Sequence, residues 1–234
     1  TWTKFGRRNV QDVVDDLADV SLDVAKMAPE AQRGYKQLIS ELAAKGNKAK
    51  GAAHALRALK HYQEKGYKIL RIEAQEVVMV GGTRLNHTRR YDMIIEVAGK
   101  EVRIECKSWN FDNVLSHTKR YLGVKGGVTK QTDEIAEEIA DFEQEGAQLF
   151  ADLLSFAQKG NTGHKWAFDD AMADGGKLFK DTITDVLENY APLRKEIKDI
   201  LSKGGKEMSD GELNKWIDNL IDGLDDFVEV IPAK

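Results

Sequence analysis

The spacing of apolar residues divides the chain into a helical start, a strand-rich middle and a helical end. Residues 9–27 place Val10, Val13, Val14, Leu17 and Val24 at steps of three and four, which lays one apolar stripe along a helix. Pro29 stops that helix, and a second is expected from about Glu30 to Ala44, with Tyr35, Leu38, Ile39 and Leu42 on its apolar side. The polar run 45–51 contains two glycines and reads as a break. A third helix carrying Ala52, Leu56 and Leu59 runs to about Lys65 and ends at Gly66.

From Tyr67 to Val80 the pattern changes to Ile69, Leu70, Ile72, Val77, Val78 and Val80, the composition of a strand. Two more strands are expected at Tyr91–Val97 and Glu101–Trp109, then a basic loop with Gly123, Gly126 and Gly127. A long helix starts near Thr129 and carries Ile135, Ile139, Phe142, Leu149, Leu153 and Ala157. After Gly160–Gly163, the residues Lys165 to Phe168 read as a short fourth strand. The remainder is expected to be helical. Leu178, Phe179, Ile183, Val186 and Leu187 share a face, Pro192 interrupts or restarts the helix, and Ser209 with Glu212 forms a capping box ahead of Leu213, Trp216, Ile217 and Leu220.

The middle hairpin carries the candidate chemistry. With Gly99-Lys100 as a two-residue turn, Val97 faces Val102, Ile95 faces Ile104 and Met93 faces Cys106, so one side is apolar throughout. On the other side Glu96 faces Arg103, Ile94 faces Glu105 and Asp92 faces Lys107. Asp92, Glu105 and Lys107 then lie within about 5–8 Å of one another. Two carboxylates so close repel and raise one pKa unless a cation sits between them. A hard divalent metal such as Mg²⁺, which prefers oxygen ligands, relieves that repulsion. Lys107 beside it would orient or help deprotonate a water, or stabilise charge developing on phosphate. The competing reading makes Glu96–Arg103 and Asp92–Lys107 ordinary cross-strand ion pairs.

These residues, in the order helix, three strands, helix, strand, resemble the PD-(D/E)xK nuclease superfamily over about residues 49–170. Asp92 stands at the second strand and Glu105-Cys106-Lys107 at the Glu-x-Lys of the third, although Tyr91 replaces the motif's proline. The resemblance implies an α+β fold with an αβββαβ restriction-endonuclease-like core, residues 1–48 being a helical N-terminal segment and 171–234 a helical extension packed on the core. It implies Mg²⁺ (or another divalent ion such as Mn²⁺) held by Asp92, Glu105 and the Cys106 backbone carbonyl, with Lys107 positioning the hydrolytic water. The family's first helix often adds a Glu to the metal; the matching position is His54, read as a substitute ligand or, preferably, a surface residue. Its following helix often carries Gln or Lys towards phosphate, here Lys130 and Gln131. The wording Glu105-Cys-Lys-Ser-Trp109 also resembles C-terminal nuclease domains of bacterial polymorphic toxins of the contact-dependent inhibition type. Such a domain would belong to a secreted or cell-surface exoprotein, act in the target-cell cytoplasm and be neutralised by a cognate immunity protein. The chain opens on Thr1 rather than Met, in keeping with a domain cut from a larger protein.

Composition changes the picture in two ways. The chain has 234 residues, only 3 prolines and 1 cysteine, so a disulfide framework and a Cys-rich zinc module are excluded. Cys106, on the apolar side of the hairpin, is expected to be inert core. The five histidines show no zinc-ligand spacing and most are expected at the surface; no apolar run is long enough to cross a membrane. The net charge of −4 hides an asymmetry. Residues 1–130 carry 24 Lys+Arg against 15 Asp+Glu, and residues 131–234 carry 11 against 24. The basic half suits a nucleic-acid partner, DNA ahead of tRNA, and Lys119, Arg120 and Lys125 could track a phosphate backbone beside Tyr121. Gly123–Gly127 lacks the Gly-Lys-Ser/Thr of a P-loop, which argues against nucleotide hydrolysis. The alternative to a nuclease is a non-enzymatic helical module that binds a basic protein through its acidic C-terminal half.

Overall fold

The computed structural model describes residues 4–5, 8–44, 46–80, 83–109, 111–122, 124, 148–170, 175–202 and 207–232. Its centre is a five-stranded mixed sheet, β3 (Lys68–Val80), β4 (Thr83–Val97), β5 (Lys100–Lys107), β6 (His164–Asp169) and β7 (Val228–Ile231), in that spatial order. β3, β4 and β5 form an antiparallel meander, whereas β6 runs parallel to β5 and β7 parallel to β6. A two-stranded ribbon, β1 (Lys4–Phe5) with β2 (Arg8–Asn9), precedes the first helix. The fold is therefore α+β.

Helices cover both faces of the sheet. On one lie α1 (Val10–Val24), α2 (Pro29–Leu42) and α3 (Asn47–Glu64), whose Val13, Val20, Leu38, Leu56, Leu59 and Tyr62 pack with Ile72, Met93, Ile95 and Ile104. On the other lie α4 (Val114–Tyr121), α5 (Gln148–Gln158), α6 (Gly175–Asn189), α7 (Ala191–Ser202), α8 (Asp210–Asp222) and the short α9 (Leu224–Phe227). Trp166 and Phe168 join that second core and Ala167 the first, the alternation expected of a strand buried on both faces.

Local chemistry explains much of this. α2 approaches β3 so closely that a Cβ on Gly34 would lie 1.9 Å from the Ile72 carbonyl oxygen, so only glycine fits there. The N-terminal helix is tied to α3 by charge: Asp16, fully buried, lies 3.3 Å from Lys60 and 3.7 Å from Arg57, and Lys60 also meets Asp19. The Ser209 capping box is formed, with the hydroxyl accepting from the Glu212 N–H and the Glu212 carboxylate accepting from the Ser209 N–H. Pro192 is the second residue of α7, where its missing N–H is harmless, so the helix restarts there.

Four expectations are corrected. β4 begins at Thr83 rather than Tyr91, because a polar run without apolar alternation still pairs with β3. Part of the expected basic loop is α4, preceded by a 3₁₀ turn at Phe111–Asn113. The end of the chain is not wholly helical, since β7 closes the sheet beside β6. The hairpin turn is Ala98-Gly99, whose φ of 50° and 76° are the two positive values of a type I′ turn. Met93 accordingly faces Ile104 and Ile95 faces Val102, a slip of two residues from the expected register. An even slip keeps every side chain on its face and changes only its partner.

Candidate functional site

Glu105 and Lys107 leave β5 on the same side, two residues apart, and Lys107 Nζ lies 2.7 Å from Glu105 Oε1. Glu105 is 7% exposed, so this ion pair is taken out of water. Lys107 Nζ also sits 4.6 Å from the Tyr121 ring centre and 5.2 Å from that of Trp166. Burial pulls the Lys107 ammonium down, but Glu105 and then Tyr121 outweigh it and hold the group above its ordinary range. Lys107 is a fixed cation.

Asp92 occupies the point where β4 loses regular pairing. The ladder to β5 ends at Met93 with Ile104, and beyond it the Cys106 N–H donates to Asp92 Oδ2 at 2.7 Å. Continued by one pair, the ladder sets Asp92 against Glu105, not against Lys107 as expected. The alternation along β3 and β4 is disturbed at the same level. Glu73 adopts a φ of 53°, a left-handed conformation unusual for a non-glycine residue, and it lies between the pairs Ile72–Met93 and Ala74–Tyr91. Asp92 is thus half-buried between two other acids. Burial, then Glu105 and, more weakly, Glu73 push its carboxyl up to about 8. Glu73 is pushed up to about 7, by burial first and then by Glu41 and Glu105, against the pull of Arg90. Arg90 Nε lies 2.7 Å from Glu73 and its Nη2 3.1 Å from Glu41 on α2.

Sequence reasoning missed the residues that hold Glu105. Arg89, 6% exposed, places Nη2 3.0 Å from Glu105 Oε2 and 2.9 Å from Asp152 Oδ2, while its Nε donates to Asp152 Oδ1 at 3.2 Å. Asp152, 1% exposed on α5, also accepts from the Tyr91 hydroxyl at 3.2 Å and from the Trp166 indole N–H at 2.9 Å. Four donor contacts satisfy one buried carboxylate. The signal was present as Asp152 on the apolar face of a helix next to Leu153, since an acid there must find a partner. Its partner, Arg89, lies in the stretch not recognised as strand.

The other expected site residues scatter. His54 is not a surface residue: it is 3% exposed on α3, with Nε2 3.0 Å from the Ala167 carbonyl oxygen. His164 is equally buried, whereas His61 and His117 are half-buried. Cys106 packs at the margin of the first core, and burial followed by Asp92 and Glu105 raises its thiol well above the ordinary range, which disfavours the thiolate. Glu96 faces Glu101 rather than Arg103, and Arg103 instead pairs with Glu76 at 2.6 Å and Glu101 at 3.1 Å. Lys119 and Arg120 are half-buried in the last turn of α4, adjacent to the Tyr121 that covers Lys107. Lys125, Lys130 and Gln131 lie outside the described residues.

Comparison with protein-family models, curated proteins and solved structures finds no match. The function therefore rests on the site itself. Its oxygen donors suit a hard divalent cation in kind: Asp92 takes no ion pair from the described residues, and its raised pKa marks a carboxyl in need of positive charge. Glu105 is already shared between Lys107 and Arg89, so a cation would have to share it too. Among the described residues no three His, Cys, Asp or Glu side chains form a ready-made ion site. No helix among them is long and apolar enough to cross a membrane.

Proposed function

We propose that this chain is a metal-dependent endonuclease that hydrolyses phosphodiester bonds, with DNA ahead of tRNA as substrate. The observation that carries the reading is Asp92 against Glu105 with Lys107 2.7 Å from Glu105, all at the middle strands of a mixed sheet. Asp92, Glu105 and the Cys106 carbonyl are the groups that would hold Mg²⁺ or Mn²⁺, and a bound ion would supply positive charge to phosphate and lower the pKa of a water. Lys107, permanently charged, serves to orient that water or to stabilise charge on the phosphate, and not as a base. Arg89 and Asp152 act through Glu105 by fixing its carboxylate. The order α3, β3–β5, α5, β6, with β6 parallel to β5, supports an αβββαβ core of the restriction-endonuclease kind.

On this reading the chain is the toxin domain of an interbacterial competition system, carried by a secreted or surface exoprotein and neutralised by an immunity protein. The test is incubation with plasmid DNA and total tRNA, with Mg²⁺, Mn²⁺ or EDTA, beside Asp92→Ala and Lys107→Ala. Metal-dependent cutting that both substitutions abolish is the expected result. No cutting of either substrate with any divalent ion refutes the enzyme, and cutting that survives both substitutions refutes the site. The toxin reading adds growth arrest on cytosolic expression, relieved by the product of an adjacent gene.

A further inference from the structure

Lys107 reaches the candidate site on a flexible four-carbon stem, and Glu105 alone does not fix where its ammonium stands. The contact of 2.7 Å to Glu105 Oε1 sets a distance and leaves the nitrogen free to swing about that oxygen. Among the described residues Glu105 is its one ion-pair partner, and the side chain is only 13% exposed. An ammonium with three donors, so far from water, needs further negative charge around it.

Aromatic rings supply that charge. Lys107 Nζ stands 4.6 Å from the centre of the Tyr121 ring and 5.2 Å from that of Trp166, and the two ring planes cross at 84°. A ring face is negative and attracts a cation most strongly where water is excluded. Two faces nearly at right angles, together with one carboxylate oxygen, pull in three directions and so define a point instead of an arc. The walls are themselves held. Trp166 is fully buried, and its indole N–H donates to Asp152 Oδ2 at 2.9 Å. Tyr121, 8% exposed at the end of α4, packs edge-on against Trp166 at 5.6 Å and tilted against Trp109 at 5.3 Å. The ring that the sequence sets beside a phosphate track is thus turned to Lys107, with little of it left to stack on a base. Arg89, on the second oxygen of Glu105, is backed in the same way by the Tyr91 ring at 5.0 Å.

We propose that Tyr121 is a positioning residue for phosphodiester hydrolysis, its ring face holding the Lys107 ammonium beside Glu105, where it acts on the water or the phosphate. The inference rests on the nuclease reading for the reaction and on geometry alone for the placement. The role belongs to the negative charge of the ring face, and neither to the bulk of the side chain nor to its hydroxyl. A side chain of equal bulk without that charge would still fill the place of Tyr121 in the second core, but would leave Lys107 loose.

The test separates face from bulk. Tyr121→Phe is the reference, and the full chain is then made with mono-, di- and trifluorophenylalanine in place of Tyr121. Each fluorine draws charge from the ring face and barely changes its shape. kcat for metal-dependent cutting is expected within about threefold of wild type in Tyr121→Phe, then to fall in steps to about tenfold lower with three fluorines, at unchanged KM and Tm. A second readout needs no substrate. In EDTA, with isotope-labelled lysine, the ε-protons of Lys107 (assigned by their loss in Lys107→Met) should show a nuclear Overhauser contact to the Trp166 ring. That contact is expected in the wild type and in Tyr121→Phe, and should weaken along the fluorinated series. Equal kcat across the series, a kcat that falls only as Tm falls, or a contact that is absent from the wild type or does not weaken overturns the proposal. A wild type that cuts no nucleic acid refutes the nuclease reading instead, and the proton contacts then decide the placement by themselves.

Discussion

Replacing Asp92 by Asn should stabilise the metal-free protein, and by an amount that grows with pH. The Asn carboxamide oxygen can still accept the Cys106 N–H, so the substitution removes charge and little else. In the folded chain the Asp92 carboxyl is pushed from 3.8 to about 8, so the folded state binds a proton that the unfolded state releases. Stability is then fully present below the unfolded pKa, falls as pH rises through the window from about 4 to 8, and levels above it. At pH 7 the gap is about three units, or about 4 kcal/mol at 1.36 kcal/mol per unit. Water on the half-buried carboxyl reduces this to about 2–3 kcal/mol. For a chain of this size that is a rise in Tm of roughly 5–10 °C. Urea denaturation of both proteins in EDTA at pH 5, 6, 7 and 8 measures it. The variant's advantage should grow across the series, from about 1 kcal/mol at pH 5. An advantage that is the same at pH 5 and pH 8, or a variant less stable throughout, would refute the claim that Asp92 is destabilised by the acids around it.

The remaining predictions probe its neighbours. Saturating Mg²⁺ at about 100 times its Kd should add roughly 2.7 kcal/mol to the wild type and nothing to Asp92→Asn; coincident melts with Mg²⁺ and with EDTA would count against a metal at this site. Arg89→Met should cost about 3–5 kcal/mol in urea denaturation, because it leaves the buried carboxylates of Asp152 and Glu105 short of a cation. A loss under about 1 kcal/mol would mean that Tyr91, Trp166 and Lys107 suffice. Lys107→Met should abolish cutting while retaining the Mg²⁺ shift in Tm, and the wild-type rate should show no rise that tracks deprotonation of Lys107. Gly34→Ala should destabilise by about 1–3 kcal/mol or more, since the new Cβ meets backbone that cannot swing aside.

The helices with clear apolar stripes, the three strands of the meander and the strand at Trp166 were legible because burial on known faces dictates their periodicity. What escaped was decided by conformations that composition does not advertise. Ala98 takes a positive φ that sequence preference assigns first to Gly or Asn, so the sequence predicts the turn one residue late. A turn one residue late moves the pairing by two, which keeps Asp92, Glu105 and Lys107 in view on the hairpin but gives them other partners. Asp92 opposes a carboxylate instead of an ammonium. Glu73, also at positive φ, disturbs the alternation of β3, and no alternation rule could have turned Tyr91 and Arg89 towards Asp152. α4 and β7 are eight and four residues long, too short for periodicity to separate them from loop.

The charge asymmetry of the sequence takes on a different meaning in the fold. Basic and acidic halves do not simply face separate partners, because the buried acid that fixes Arg89 comes from the acidic half, on α5. Arg89 in turn spans Asp152 and Glu105, so the carboxylate of the candidate site is neutralised by a residue that the second half of the chain holds in place. A hairpin excised from this protein would present Asp92 and Glu105 as repelling neighbours. Packed under α5, with Trp166 from β6 donating to the same Asp152, the hairpin holds Glu105 between Arg89 and Lys107 and leaves Asp92 as the carboxyl that no described cation pairs with. The unsatisfied group is thus a consequence of how completely its neighbour is satisfied. It is at Asp92, and not at the heavily paired Glu105, that an added cation has most to gain.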